Sequence, residues 1–159
     1  MLKKIDWKAL IICIVIPLFV GGLAGFLTRN AMESFEALNQ PPLSPPGWLF
    51  PVVWTILYLL MGISSYLILQ SDAPEEQIIK ALQLYLYQLV VNLLWPIFFF
   101  LLGWYLFAFF WLLLLWIMVI VMIKRFAAIS KVAAYLNIPY ILWLTFAAYL
   151  NLGVWWLNR

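Results

Sequence analysis

The sequence predicts an all-α integral membrane protein: a five-transmembrane-helix bundle with a proline-rich lid loop between helices 1 and 2. Hydrophobic residues fill 68% of the 159 positions, and charged residues fill only 9%. A soluble domain has about 45–50% apolar and about 25% charged residues. The charged residues also fall between long uncharged segments, each of which is long enough to cross a bilayer.

The uncharged segments give the helices in order, because a span needs about 20 apolar residues. The first segment holds one helix, and the second holds one after a stretch whose four prolines, between residues 41 and 46, exclude regular helix. The third segment, residues 81–123, accommodates two helices with a break at Gly103, and the fourth holds one. The predicted helices of this single domain, residues 1–159, lie at about 9–27, 49–70, 79–101, 104–123 and 131–156, with the lid loop over 28–48.

The N-terminal segment shares with signal peptides a few lysines followed by an apolar run. That run has about 20 residues, which is longer than a signal-peptide h-region, and no small-x-small cleavage site follows it. We therefore expect this segment to remain as the first helix.

The distribution of Lys and Arg predicts the orientation, because cytoplasmic loops of membrane proteins carry an excess of both. Two cations, Arg29 and Arg159, fall on one side of a five-helix topology. The opposite side, which includes the N-terminus, carries the others: Lys3, Lys4, Lys8, Lys80, Lys124, Arg125 and Lys131. The N-terminus is therefore expected in the cytoplasm, and the C-terminus and lid loop on the outer side.

The residue types that are missing exclude several functions. The chain has no His and one cysteine, Cys13, so it lacks the commonest metal ligand and any disulfide framework. No charged residue lies in the interior of a predicted helix, which argues against an ion-coupled pump and an intramembrane protease. The net charge of +3 is too small and too scattered for nucleic acid. We expect no metal, no cofactor and no nucleic-acid partner.

Three predicted helices each carry a face of aromatic rings and neutral polar groups, at spacings of three and four residues. One interpretation is that these groups hold the helices together by hydrogen bonds and packing. The other is that the faces converge on a pocket for a flat apolar ligand with a polar edge, such as a porphyrin or a sterol. The faces comprise Trp54, Tyr58, Met61 and Ser65 on helix 2, Gln88, Asn92, Trp95 and Phe99 on helix 3, and Tyr140, Trp143, Ala147 and Asn151 on helix 5.

Six segments, in this order and at these spacings, resemble the translocator protein family (TspO, tryptophan-rich sensory protein, also called the peripheral-type benzodiazepine receptor). The resemblance covers nearly the whole chain. The segments are GGLAG at 21–25, ALNQPPLSPP at 37–46, PVVWTILYLLMG at 51–62, NLLWPIFF at 92–99, IPYILWLTFA at 138–147 and YLN at 149–151.

The resemblance implies a five-helix bundle whose first loop caps a ligand pocket. The family binds porphyrins, especially protoporphyrin IX, and its animal members also bind cholesterol and benzodiazepine-type drugs. Members are usually dimers, so a homodimer in a lipid bilayer is expected. Some bacterial members promote light-dependent breakdown of protoporphyrin, a role given to two tryptophans that correspond to Trp54 and Trp143. The pocket positions carried over are Asn92, Trp95, Trp104, Ala147 and Leu150.

The chain also departs from the family pattern. Leu43 stands where the loop usually has Trp, and Ser34-Phe35 stands where a Trp-Tyr pair is common. The stretch from Tyr149 to Arg159 is too long for the sterol consensus of animal members, a weak pattern in any case. Sterol binding is therefore the least supported of the implied properties.

These observations predict a membrane receptor or carrier that binds tetrapyrroles in an aromatic intramembrane pocket. Two alternatives remain open: light- and oxygen-dependent degradation of the bound porphyrin, with Trp54 and Trp143 as candidate catalytic residues, and a regulatory membrane protein that acts through partners. The predicted ligand-binding residues are Trp54, Tyr58, Asn92, Trp95, Phe99, Trp104, Tyr140, Trp143, Ala147, Leu150 and Asn151, and the lid residues are Pro41, Pro42, Leu43, Pro45 and Pro46.

Overall fold

A computed structural model describes residues 4–159 and shows a helical protein with five spans long and apolar enough to cross a membrane. This confirms the predicted fold class. Lys3, one of the cations used to predict the orientation, lies outside the described residues. The helices are α1 Trp7–Thr28, α2 Met32–Glu36, α3 Leu49–Leu69, α4 Glu75–Pro96, α5 Tyr105–Ala127, α6 Lys131–Tyr135 and α7 Ile138–Asn158. The spans are α1, α3, α4 with a π-helical turn at Ile97–Leu101, α5, and α6 with α7.

The first loop, residues 29–48, connects α1 to α3 and contains the short helix α2. The proline-rich part of this loop is irregular, because proline lacks the amide hydrogen that a helix needs. Pro51 follows in the first turn of α3, where that missing donor has no intrahelical partner to lose.

Close approach of α1 to α3 depends on two glycines. A Cβ atom at Gly62 would lie 2.7 Å from the Cα atom of Ile14, and one at Gly21 would lie 2.4 Å from the ring of Tyr58. Both distances are far below a van der Waals contact. Small residues at such positions let helix backbones meet in a membrane, where van der Waals packing drives association.

The fourth helix ends irregularly. After Pro96 the chain makes a π-helical turn and reverses at Gly103, whose φ of 65° is the left-handed conformation that glycine adopts without steric cost. The turn directs Phe98 towards the α5 residues Phe107 and Trp111, with ring centroids 4.9 and 5.1 Å away. It leaves Phe99 and Phe100 facing the first loop, where both contact Phe35.

The fifth span is interrupted between α6 and α7. Ser130 caps α6 by accepting a hydrogen bond from the Ala133 N–H at 3.2 Å. At the interruption, the buried Asn137 side chain donates to Ser64 Oγ at 2.7 Å and to the carbonyl of Ala133 at 3.0 Å. These bonds connect the interruption to α3. They also satisfy polar groups that would be costly if left without partners at membrane depth.

Candidate functional site

A small cavity lies beneath the first loop, between α3, α4, the π turn and α7. Its walls are aromatic and apolar, with two neutral amides, Gln40 and Asn151. The cavity volume is about 30 Å³, which is room for about one water molecule. The lining residues are Phe35, Gln40, Phe50, Trp95, Phe99, Phe100, Ala147, Leu150, Asn151 and Val154.

Aromatic rings on three sides fill the space around this cavity. Trp95 stacks on Phe99, one turn further along, with ring centroids 5.0 Å apart and planes 23° apart. Phe35 from α2 enters from the loop side and meets Phe100 edge-on at 5.2 Å. The result is a set of flat surfaces in offset-stacked and edge-to-face arrangements, which aromatic pairs prefer.

The polar groups that sequence reasoning placed at the pocket are bonded within the protein. Asn151, on α7, accepts a hydrogen bond from Trp95 Nε1 at 3.0 Å and donates to the carbonyl of Tyr105 at 2.8 Å. Asn151 also lines the cavity, so a bonded amide borders this space.

A second group of polar side chains forms a buried hydrogen-bonded chain across α3, α4 and α7. The Tyr58 hydroxyl donates to Asn92 Oδ1 at 2.7 Å, and Asn92 Nδ2 donates to Tyr140 Oη at 2.8 Å. The Tyr140 hydroxyl in turn donates to Gln88 Oε1 at 2.7 Å. All four residues are buried. Asn92 therefore joins three helices, as the interhelical hydrogen-bond interpretation expects.

An apolar groove lies on the outside of the bundle, between α3 and α7. Its volume is about 400 Å³, and it is open to the outside of the bundle. Trp143 lines this groove, while Phe50 lines the central cavity. The two rings meet edge-on at 5.9 Å. The groove is lined by Val53, Ile56, Leu57, Pro139, Leu142, Trp143 and Phe146.

The two candidate catalytic tryptophans are half-buried and lie in apolar surroundings. Trp54 stacks on Tyr58 at 5.4 Å and meets Tyr140 edge-on at 6.1 Å. Trp143 contacts Phe50 and Phe146, and its indole N–H is buried without a hydrogen-bond partner. A buried donor of this kind retains a free-energy cost until an acceptor reaches it.

The loop is attached to the C-terminal half of α7. The Asn39 N–H donates to Asn158 Oδ1 at 3.0 Å, and Asn158 Nδ2 donates back to the Asn39 carbonyl at 2.8 Å. The Tyr149 hydroxyl donates to the carbonyl of Pro42 at 2.6 Å. Pro41 packs on Gly153, where a Cβ atom would lie 2.6 Å away. The segment 39–42 is thus held directly above the cavity.

The predicted site residues lie in several separate regions: the cavity, the buried hydrogen-bonded chain, the groove and the first loop. Trp95, Phe99, Ala147, Leu150 and Asn151 line the cavity. Tyr58, Asn92 and Tyr140 form the buried chain with Trp54 against it, and Trp143 lines the groove. Trp104 lies apart: it is half-exposed at the turn before α5 and stacks on Phe98. Among the predicted lid residues, Pro41 packs on α7, and the Pro42 carbonyl accepts a hydrogen bond from Tyr149. Leu43 is 82% exposed and has a φ of 69°. Pro45 is half-buried and Pro46 is exposed.

Several lining residues were missed from the sequence. Phe50 precedes Trp54 by four residues and Val154 follows Asn151 by three, so helical spacing would have added both to the faces already identified. Gln40 belongs to the irregular part of the first loop and Phe35 to the five-residue helix α2. Both stretches are too short or too irregular for a periodic pattern to predict which side chain points inward. Phe100 is adjacent to Phe99, and only the π turn brings both to the cavity side.

Comparison with known proteins gives a consistent result. Residues 13–157 match the model of the TspO/MBR family. The chain is 36% identical over 151 residues to the Tryptophan-rich protein TspO of Chlorobaculum tepidum, covering 94% of this chain and 95% of that protein. It is 35% identical over 145 residues to the Translocator protein of Ovis aries, covering 87% and 84%. It is also 32% identical over 126 residues to the Tryptophan-rich sensory protein of Cereibacter sphaeroides, covering 79% and 77%.

Proposed function

The chain belongs to the TspO/MBR family, and we propose that it is a membrane receptor or carrier that binds a tetrapyrrole such as protoporphyrin IX. The observation that carries this proposal is the aromatic cavity beneath the first loop together with the apolar α3–α7 groove. One ring from the lining of each, Phe50 and Trp143, is in edge-on contact with the other. A flat macrocycle that parts these two rings would lie against aromatic faces on both sides.

The binding chemistry follows from the lining. Stacking on Trp95, Trp143 and their aromatic neighbours would contribute about 0.5–1.5 kcal/mol per ring pair beyond the burial of apolar area. The amides of Gln40 and Asn151 and the unpaired N–H of Trp143 are the polar groups near the ligand space. Because a volume of about 30 Å³ holds no macrocycle, binding requires outward movement of cavity side chains.

Titration of the detergent-solubilised protein with protoporphyrin IX tests this proposal through quenching of tryptophan fluorescence. We expect saturable quenching in the wild type and weaker binding in Trp54→Phe/Trp143→Phe. A matched control is Trp7→Phe/Trp156→Phe, because both of these rings are exposed at helix ends. Absence of quenching in the wild type, or equal affinity in the two double variants, would contradict the assignment of the site.

A second candidate function is photo-oxidative degradation of the bound porphyrin, with molecular oxygen as the oxidant. Two oxidisable indoles lie on α3 and α7: Trp54 packs on Tyr58 and Tyr140, and Trp143 packs on Phe50 and Phe146. Product formation under light and oxygen tests this function. Equal bleaching of the porphyrin with and without protein, or with the Trp54→Phe/Trp143→Phe variant, would exclude it.

A further inference from the structure

We propose that Phe35 is an internal plug of the ligand site: its ring fills space that a bound ligand must take, so that it lowers the apparent affinity. This inference rests on the proposed function, since it concerns regulation of the same site. It concerns a residue outside the aromatic and polar faces identified from the sequence.

Phe35 is the loop residue that reaches the aromatic centre of the cavity. Its ring lies 5.2 Å from Phe100, 5.7 Å from Phe99 and 6.4 Å from Phe50. These three rings come from the π turn and from α3, so Phe35 fills the gap between two spans. What remains of the cavity around it is about 30 Å³.

The element that carries Phe35 is weakly held in its own right. α2 has five residues, Ala31 offers it no side-chain cap, and none of its residues is fully buried. Helices this short are unstable without tertiary contacts, because nucleation is costly and few bonds follow it. Beyond the ring contacts of Phe35, α2 is tied to the cavity by Gln40, whose Nε2 donates to the Phe35 carbonyl at 3.2 Å.

The loop residues that follow are held separately. Asn39, Pro41 and Pro42 contact α7 through Asn158, Gly153 and Tyr149. α2 can therefore swing out and withdraw Phe35 while the proline segment remains attached to α7. A site whose competent state is only fractionally populated binds with an affinity reduced by that fraction.

The plug and a simple wall predict opposite signs. If Phe35 is a plug, Phe35→Ala tightens binding of protoporphyrin IX by about 10-fold, the factor for a site open about one tenth of the time. Phe35→Trp, which puts a larger ring into the same gap, then weakens binding. If Phe35 were a wall that stacks on the ligand, alanine would weaken binding and tryptophan would preserve or improve it.

The matched control is Phe98→Ala, which removes a phenyl ring from the adjacent π turn. Phe98 packs on Trp104, Phe107 and Trp111, on the side away from the cavity. We expect its affinity to equal that of the wild type. Should Phe35→Ala fail to fold, the Phe35→Trp variant and its association rate still decide the sign.

The outcomes separate the plug from the proposed function. Tighter binding by Phe35→Ala together with weaker binding by Phe35→Trp supports the plug. Binding by the wild type with unchanged or weaker affinity in Phe35→Ala, or unchanged or tighter affinity in Phe35→Trp, overturns the plug alone. Absence of porphyrin binding in the wild type and in both variants overturns the proposed function, and the plug with it.

Discussion

Asn39 and Asn158, 119 positions apart in the chain, are joined by two reciprocal hydrogen bonds between a backbone amide unit and a side-chain amide. The Asn158 side chain additionally donates to the carbonyl of Val154 at 2.7 Å, which fixes it on the last turn of α7. The C-terminal turn of the fifth span thereby holds the first loop. The position of the loop therefore depends on residues of α7 as well as on the loop's own sequence.

Loss of the Asn158 side chain is expected to loosen the loop. Asn158→Ala removes two hydrogen bonds to Asn39, each worth about 0.5–1.5 kcal/mol in net terms. Because these bonds are exposed to solvent, we expect a loss in the lower part of the combined range, about 1–1.4 kcal/mol. Detachment of the loop from α7 should then become about 5–10-fold more frequent. Hydrogen exchange of the backbone amides of residues 39–44, followed by mass spectrometry, measures this detachment, because these residues belong to the segment attached to α7. Asn30→Ala, at an exposed position of the same loop, is the control, and an equal exchange rate in the two variants would contradict the attachment.

The contact of Gly153 with Pro41 gives a second prediction. Gly153→Ala places a methyl group 2.6 Å from Pro41 Cβ, and forcing extra atoms into a packed contact costs about 1–3 kcal/mol. Thermal stability in detergent should fall, and hydrogen exchange of the backbone amides of residues 39–44 should rise. Gly22→Ala is the matched control within α1, because nothing lies within 4 Å of its added Cβ. That variant should be neutral or stabilised by about 0.5–1 kcal/mol through helix propensity.

The buried chain through Asn92 gives a third prediction, which separates its structural role from ligand binding. Asn92→Leu removes the acceptor of the Tyr58 hydroxyl and a donor to Tyr140. A buried polar group left without a partner costs about 1–3 kcal/mol. We expect thermal stability in detergent to fall without any ligand present. Tyr87→Phe, which removes an exposed hydroxyl from the same helix, is the control. Unchanged stability of Asn92→Leu would mean that the chain does not hold α3, α4 and α7 together.

The sequence predicted the fold class because membrane spans are recognised from local composition alone, without tertiary information. It also identified Asn92 and Asn151 as candidate site residues, because neutral amides are conspicuous within apolar helices. What it left open was whether those amides face a ligand or each other's helices. That question depends on interhelical geometry. Asn92 is hydrogen-bonded to Tyr58 and Tyr140, and Asn151 is hydrogen-bonded to Trp95 and Tyr105 and also borders the cavity.

Other features depended on interactions that no local pattern encodes. The π turn after Pro96 directs Phe98 towards α5 and leaves Phe99 and Phe100 on the cavity side. The hydrogen bond from Asn39 to Asn158 joins the first loop to the end of the last helix. Leu43 was predicted to be a lid residue, and that remains a prediction. Its side chain is 82% exposed and its backbone φ is 69°, so any effect on the ligand would act through the conformation of the loop.

The backbone at Leu43 gives a fourth prediction. A non-glycine residue in the left-handed region carries a cost of about 1–2 kcal/mol, which glycine avoids. Leu43→Val, whose β-branched side chain tolerates this conformation least, should destabilise the loop. Leu43→Asn should stabilise it by a few tenths of a kcal/mol, because Asn adopts positive φ more readily. Hydrogen exchange over residues 39–44, corrected for the intrinsic rates of the new residues, again measures the loop, and identical protection for Val and Asn would show that this turn stores no strain.

The orientation of the protein gives the last prediction. The positive-inside rule places the first loop outside and the α5–α6 connection in the cytoplasm. Cys13 is the single cysteine of the chain, so Cys13→Ser provides a thiol-free background in which single cysteines report their side. Leu43→Cys, at an exposed loop position, should react in intact cells with a thiol reagent that does not cross membranes. Ala128→Cys, exposed between α5 and α6, should react only after the cells are permeabilised. The reverse pattern would place the first loop, and the cavity beneath it, on the cytoplasmic side of the membrane.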